Sequence, residues 1–323
     1  MRPSVRLGTR GSPLAVWQCE HVKQLLAGQR PDLEYEIVVI TTTGDKMLDT
    51  PLPAIGGKGV FTAELEQALR ERAIDLAVHS LKDLPTEASP GLAIGAVIER
   101  ADSADVLVSR NSYTVSSLPH KASVGTSSTR RAAQLLHTRP DLQIVDLRGN
   151  AGTRLRKALD PSGPYDAVVM ALAALERLGR TDVVSEILSE DIMLPAPGQG
   201  ALAVQCRDEA DGFGLVLNIR HEPTELETTA ERAFLEGLGG GCAVPVAARA
   251  RLGDDGRLHI KGRVLAPDGS AQVDVEASEQ FPAGDGGRRA AYDSGFRLAA
   301  EALSRGAAEL LTDTTDMTGQ IGP

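Results

Sequence analysis

Aromatic residues are nearly missing from this chain, at 3% of positions. Basic residues are outnumbered, 34 lysines and arginines against 44 aspartates and glutamates, for a formal net charge of −10. Nonspecific nucleic-acid binding relies on a basic footprint and stacking rings, so this composition argues against it. No apolar run approaches the length of a membrane span, and Met1 to Leu7 lacks the apolar core of a leader peptide, so a cytoplasmic protein is expected. The only cysteines, Cys19, Cys206 and Cys242, lie far apart with no Cys-x-x-Cys spacing, and the six histidines form no His-x-x-x-His pair. Neither a zinc site nor a disulfide framework is suggested, and no metal is expected. Nucleotide cradles fare no better. Gly56-Gly57-Lys58-Gly59 lacks the Ser or Thr that follows lysine in a P-loop, and no Gly-x-Gly-x-x-Gly opens the first helix.

What is present is an ordinary globular composition, 42% hydrophobic and 24% charged over 323 residues, enough for two or three domains. The first two thirds repeat one pattern of short apolar strand, polar or glycine-rich loop, and helix. Strands are expected near Val5–Gly8, Tyr35–Thr41, Leu76–Val78, Leu92–Ile98, Ser123–Gly125, Ile144–Leu147, Asp166–Met170 and Ala201–Cys206. Helices are expected at Leu14–Leu26, Phe61–Arg72, Arg130–His137 and Leu172–Leu178. Such alternation predicts parallel sheets with crossover helices, hence two α/β domains. Polarity rises around Glu99 to Asp105, which marks a crossing between them. The expected borders are 1–99 with 200–218 for the first domain and 104–195 for the second. From about Arg220 the style changes to helix, loop, three strands and helix, a small α+β domain over 220–310, with 311–323 as a polar, frayed tail.

In open parallel sheets ligands sit at the carboxyl ends of strands, beside helix N-termini that favour anions. The loops at those ends carry Arg10, Ser12, Lys58, Ser80, Lys82, Thr126, Ser127, Ser128, Arg130, Arg131, Arg148 and Arg154. So many cations and hydroxyls there, in a chain with excess acid, predict a cleft for a ligand with several anionic groups. With phosphate cradles lacking, carboxylates are the better expectation. Asp83 breaks the trend. Beside Lys82 it stays ionised, which suits a carboxylate that stabilises positive charge on a substrate; alternatively it is a cap or a surface ion pair. Further on, Leu238-Gly239-Gly240-Gly241-Cys242-Ala243-Val244-Pro245 reads as a tight loop holding one thiol, after an amphipathic helix over Thr224–Leu238 whose Thr224 and Glu227 have capping-box spacing.

Taken in order, these segments resemble the porphobilinogen deaminase family. The stretches that carry the resemblance are Thr9-Arg10-Gly11-Ser12-Pro13, Gly56-Gly57-Lys58-Gly59, His79 to Pro85, Gly125 to Arg131, Leu147 to Arg154, Gly198-Gln199-Gly200 and Gly239 to Pro245. The likeness spans roughly residues 4–310, and it departs where many relatives have a lysine and this chain has Ala54, and where Ser103-Ala104-Asp105 replaces Pro-Arg-Asp. The resemblance implies three domains, two of them like type II periplasmic binding proteins. It implies a monomeric enzyme that joins four porphobilinogen molecules head to tail, releasing ammonia, to give hydroxymethylbilane for tetrapyrrole synthesis. It further implies a dipyrromethane cofactor held by a thioether at Cys242, a catalytic Asp83, and contacts to cofactor or substrate from the loop residues above together with Gly149 and Gln199. Two rival readings are a two-lobed anion-binding module and a hydrolase with Cys242 as nucleophile. The first lacks an export signal or helix-turn-helix, the second a recognisable histidine partner.

Overall fold

The computed structural model of the chain describes residues 4–46, 62–240, 244–281 and 286–311. Strand β1 (Ser4–Thr9) leads into α1 (Pro13–Gln29), which starts at a proline behind the cap Ser12, whose Oγ accepts from the Ala15 N–H at 3.3 Å. There follow β2 (Glu34–Val39), α2 (Thr43–Lys46), α3 (Ala63–Arg70), β3 (Leu76–Ser80), a single 3₁₀ turn at Leu81–Asp83, and β4 (Leu92–Val97). The chain then crosses to a second sheet of β5 (Asp105–Val108), β6 (Ser123–Gly125), β7 (Gln143–Val145), β8 (Ala167–Ala171) and β9 (Glu186–Ile187). Its helices are α4 (Thr129–Thr138), α5 (Ala151–Leu159) and α6 (Leu172–Arg177). Returning, β10 (Leu202–Arg207) rejoins the first sheet and α7 (Ala210–Val216) covers it. Last come α8 (Glu222–Gly237), β11 (Val246–Leu252), β12 (Arg257–Leu265), β13 (Gln272–Gln280) and α9 (Gly287–Ala302).

The two larger sheets repeat one order, β2-β1-β3-β10-β4 and β7-β6-β8-β5-β9, so the chain holds two α/β lobes of like topology. Wholly parallel sheets were expected, and here the structure corrects the sequence. In each sheet one strand runs against its neighbours: β10 is antiparallel to β3 and β4, and β5 to β8 and β9. Both are the strands that arrive straight from the crossing between lobes, without the helix that a parallel return needs. Of β5 only Asp105 falls in the crossing expected at Glu99 to Asp105, and no strand was assigned to the buried residues after it; two-residue β9 gave too short a signal to read.

Each sheet buries its own apolar cluster. The first packs Leu7, Val22, Leu76 and Val204; the second packs Leu107, Val124, Leu135 and Val169. In the third, α8 and α9 cover one face of β11–β13, and the Phe234 ring sits over Gly262, where any Cβ would lie 2.3 Å from Phe234 Cζ. Helix α8 begins earlier than its sequence suggested. Its cap is His221, whose Nδ1 accepts from the Thr224 N–H, and Glu227 is engaged in ion pairs with Arg100 and Arg249 rather than in a capping box.

The crossing is a packed junction. Arg100 lies 2.8 Å from the fully buried Glu231 of α8, which also pairs with Arg249 and accepts the Gly198 N–H at 2.7 Å and the Ala250 N–H at 2.9 Å. Gly200 takes φ +87°, and a Cβ there would stand 2.4 Å from the Ala101 carbonyl oxygen, so only glycine lets the two crossing segments touch.

Candidate active site

Between the two lobes lies a cavity of about 520 Å³, and both lobes build it from the ends of their strands. The first lobe contributes Arg10 and Ser12 after β1, Ser80 at the end of β3, and Lys82 and Asp83 in the turn that follows. The second contributes Arg131 from α4, Arg148 and Gly149 after β7, and Arg154 from α5. Two helix N-termini face it from opposite sides. Ser12 caps α1, and Asn150 caps α5 by accepting the Thr153 N–H at 2.9 Å, so free backbone donors add to the cationic lining. Gly149 makes that approach feasible: at φ +110° its backbone bends ahead of Asn150, where a Cβ would meet Thr153 at 2.6 Å, while its carbonyl receives Arg154 Nε at 2.8 Å.

Among the described residues lining the cavity, five are basic and Asp83 alone is acidic. The Asp83 carboxylate is exposed and forms no hydrogen bond with another described residue. Lys82 is half-buried, and its Nζ donates to Gln199 Oε1 at 3.1 Å. Burial first, and then the nearby Arg131, bring its ammonium down to about 8, against the opposing pull of Asp83 and Asp105. Burial and Arg131 likewise depress Arg154. Positive charge is thus crowded into a partly dehydrated space, an arrangement that stabilises bound anions.

The remaining sequence candidates among the described residues do not line the cavity. Thr126 Oγ1 accepts the Ser128 N–H, Ser127 Oγ donates to the Leu147 carbonyl at 2.6 Å, and Ser128 caps α4 through the Arg131 N–H. Arg130 is buried, with Nη1 donating to the Leu194 carbonyl at 2.7 Å and Nη2 placed 2.8 Å from Asp105 Oδ2. Gln199 is fully buried, behind Lys82. Lys58, Cys242 and Ala54 lie outside the described residues. Sequence reading missed Gln18, whose Nε2 donates to Ser80 Oγ at 3.0 Å, although a glutamine on the Leu14–Val22 face of α1 was a visible polar break. It also missed Asn150, a cap residue directly ahead of a helical pattern, and Asp105, an acid opening an apolar strand.

Fold and site define a two-lobed α/β protein with a cationic cleft suited to a ligand with several anionic groups, Asp83 being the one acid among its described lining residues. Comparison with known proteins narrows this class. The family model described as "Porphobilinogen deaminase, dipyromethane cofactor binding domain" matches residues 5–213, and "Porphobilinogen deaminase, C-terminal domain" matches residues 225–304. The porphobilinogen deaminase of Syntrophomonas wolfei is 47% identical over 312 residues, 96% of this chain and 99% of the relative. That of Nitratidesulfovibrio vulgaris strain Miyazaki F is 45% identical over 308 residues, 95% of this chain and 96% of the relative. Among solved structures, the BenM effector-binding domain with benzoate is similar with a TM-score of 0.41 and 12% identity, covering 68% of this chain and 91% of that one. The chain belongs to the porphobilinogen deaminase family. It is an enzyme of tetrapyrrole synthesis with that family's dipyrromethane cofactor-binding domain.

Proposed function

We propose that the interlobe cleft joins porphobilinogen units head to tail with loss of ammonia, with Asp83 as the catalytic carboxylate and Cys242 as the thioether anchor of the dipyrromethane group. The observation that carries this reading is that, among the described lining residues, one exposed carboxylate stands with five cations. The residues fit the cofactor chemically: each of its pyrroles bears two carboxylates, and Arg10, Lys82, Arg131, Arg148 and Arg154 supply the matching cations. When bound, the dipyrromethane supplies the pyrrole carbon to which the first substrate is joined. The arginine forks and the α1 and α5 N-termini hold carboxylates and fix the orientation of the rings. Asp83 accepts pyrrole N–H groups and stabilises the positive charge that develops as ammonia leaves. Cys19 and Cys206 are fully buried, and burial pushes their thiols up to about 12 and 11, so neither suits a nucleophile. We read the enzyme as a cytoplasmic monomer with domain borders near 99–104 and 195–200.

Intact mass of the purified protein tests the anchor. The wild type is expected to exceed its sequence mass by two pyrrole units, and Cys242→Ser to match its sequence. A Cys242→Ser variant that still carries the extra mass would overturn the assignment, as would a bare wild type that turns over porphobilinogen.

A further inference from the structure

The cations of the cleft are not independent. Asp105, the first residue of β5, is fully buried and gathers them. Its Oδ1 accepts Arg131 Nε at 3.1 Å and Arg131 Nη2 at 2.7 Å, while Arg130 Nη2 stands 2.8 Å from Oδ2. The same Oδ1 accepts Gln199 Nε2 at 3.0 Å, and Gln199 Oε1 in turn accepts Lys82 Nζ. Gln199 is itself fixed at the junction, for its Nε2 also donates to the Ser103 carbonyl at 2.7 Å and its own carbonyl receives Arg100 Nη2 at 2.7 Å. One chain of contacts therefore runs from two arginines of the second lobe, through a carboxylate at the crossing, to the lysine beside Asp83 in the first.

We infer that Asp105 is a positioning residue for the reaction: it sets the direction of the Arg131 guanidinium and, through Gln199, the place and charge of Lys82, so that anion binding and the seating of one lobe on the other depend on one buried carboxylate. This rests on the anion-binding reading of the cleft and deepens it. The charge count supports a positioning role rather than a simple ion pair. Two buried arginines share this carboxylate directly and Lys82 reaches it only through Gln199, so Asp105 cannot neutralise all that it orients. Gln199 suits the relay because an amide both donates to the carboxylate and accepts from the ammonium; an apolar side chain does neither, and a carboxylate would cancel a needed charge. The groups that act electrostatically on Lys82 are Arg131, Asp83, Asp105 and Arg130, and of these the two acids hold its proton on.

The test compares Asp105→Asn, Asp105→Glu and Gln199→Leu with the wild-type holoprotein. Three quantities are read: KM and kcat, cofactor content by intact mass, and the pH at which Lys82 becomes reactive to acetic anhydride, followed by peptide mass spectrometry. Asp105→Asn is expected to raise KM about tenfold with a smaller loss in kcat, to lower cofactor content, and to move the Lys82 midpoint to lower pH, because an opposite charge that acts on it is removed. Asp105→Glu restores part of each. Gln199→Leu keeps both arginines on Asp105, so cofactor content stays at the wild-type level while KM rises and the Lys82 midpoint falls. If Asp105→Asn lowers only the melting temperature and leaves KM and the Lys82 midpoint in place, Asp105 is merely structural and the inference is overturned. Should Asp105→Asn fail to fold, Gln199→Leu decides, with an unmoved Lys82 midpoint and KM counting against it. Wild-type KM in both Arg10→Leu and Arg148→Leu would instead sink the anion-binding reading, whatever Asp105 does.

Discussion

Asp83 and Lys82 are chain neighbours held to different standards by their surroundings. The aspartate faces the cavity and forms no hydrogen bond with another described residue, whereas the lysine is tethered and partly dehydrated. In the role proposed above, Asp83 acts on charge that exists only as ammonia departs, so the effect of its removal belongs in kcat. Asp83→Asn is expected to lose about 10²–10³-fold in single-turnover ammonia release, with Asp83→Glu retaining more. Thermal stability should hardly change in either, since the group is exposed and unpaired; equal rates for the wild type and the asparagine variant, both carrying cofactor, would remove Asp83 from the mechanism. His79, in β3 just ahead of the Leu81–Asp83 turn, shows the opposite condition. It is buried, and burial drops its imidazole from 6.5 to about 4 despite the opposing pull of Glu66 and Gln205. Protons therefore bind the unfolded chain first. The stability this contributes is complete above pH 6.5 and is lost as pH falls toward 4, on the order of 3 kcal/mol in all. Urea titrations between those pH values should show this slope in the wild type, flattened in His79→Gln; an unchanged slope would mean that His79 charges as easily in the folded protein. From sequence, single residues were the hardest to place. Thr126, Ser127 and Ser128 looked like ligand donors, yet a hydroxyl that caps a helix and one that binds a ligand leave the same trace in a sequence. Arg130 is spent on a carboxylate whose partnership only the crossing of chains reveals.

Elements were more legible. Strand and helix periodicity placed β1, β6, α4 and β10 within a residue or two, because apolar spacing is a local property. Strand direction was not local. Whether β5 or β10 runs with or against its neighbours depends on where the chain re-enters the sheet, and no periodicity records that. Helix α8 carries the clearest consequence at this scale. It places Glu231, wholly buried, against Arg100 of the crossing, Arg249 of β11 and the Gly198 N–H, so one carboxylate fastens the third sheet to the junction. Burial works to raise this carboxyl, and the two arginines outweigh it and keep it ionised. Glu231→Gln leaves two arginines facing an amide and is expected to cost about 3–5 kcal/mol, seen as an earlier midpoint in chemical unfolding. Cofactor mass should be retained in whatever fraction folds. A variant of undiminished stability would show the junction held by packing alone.

At the scale of the molecule, sign and shape oppose each other. The chain carries −10 overall, yet its cleft is cationic. Low-dielectric walls focus that local field, so an anionic substrate is drawn to the cleft although the protein as a whole repels it. Raising ionic strength from about 0.01 to 0.15 M, which shortens the screening length from about 30 to 8 Å, should raise KM for porphobilinogen with little change in kcat. A KM indifferent to salt would mean that contact hydrogen bonds, not the field, govern capture.

The insertion of β10 between β3 and β4 also bears on how the protein is made. Leu76–Ser80 and Leu92–Val97 emerge from the ribosome long before Leu202–Arg207, the strand that both of them flank. Until then β3 and β4 lack the strand that joins them, while the second lobe, contiguous in the chain, has every strand it requires. Synthesis order thus makes the lobe that starts first finish last. Unpaired edges invite pairing with other chains, so the nascent protein is most vulnerable to aggregation over the interval in which the second lobe is translated.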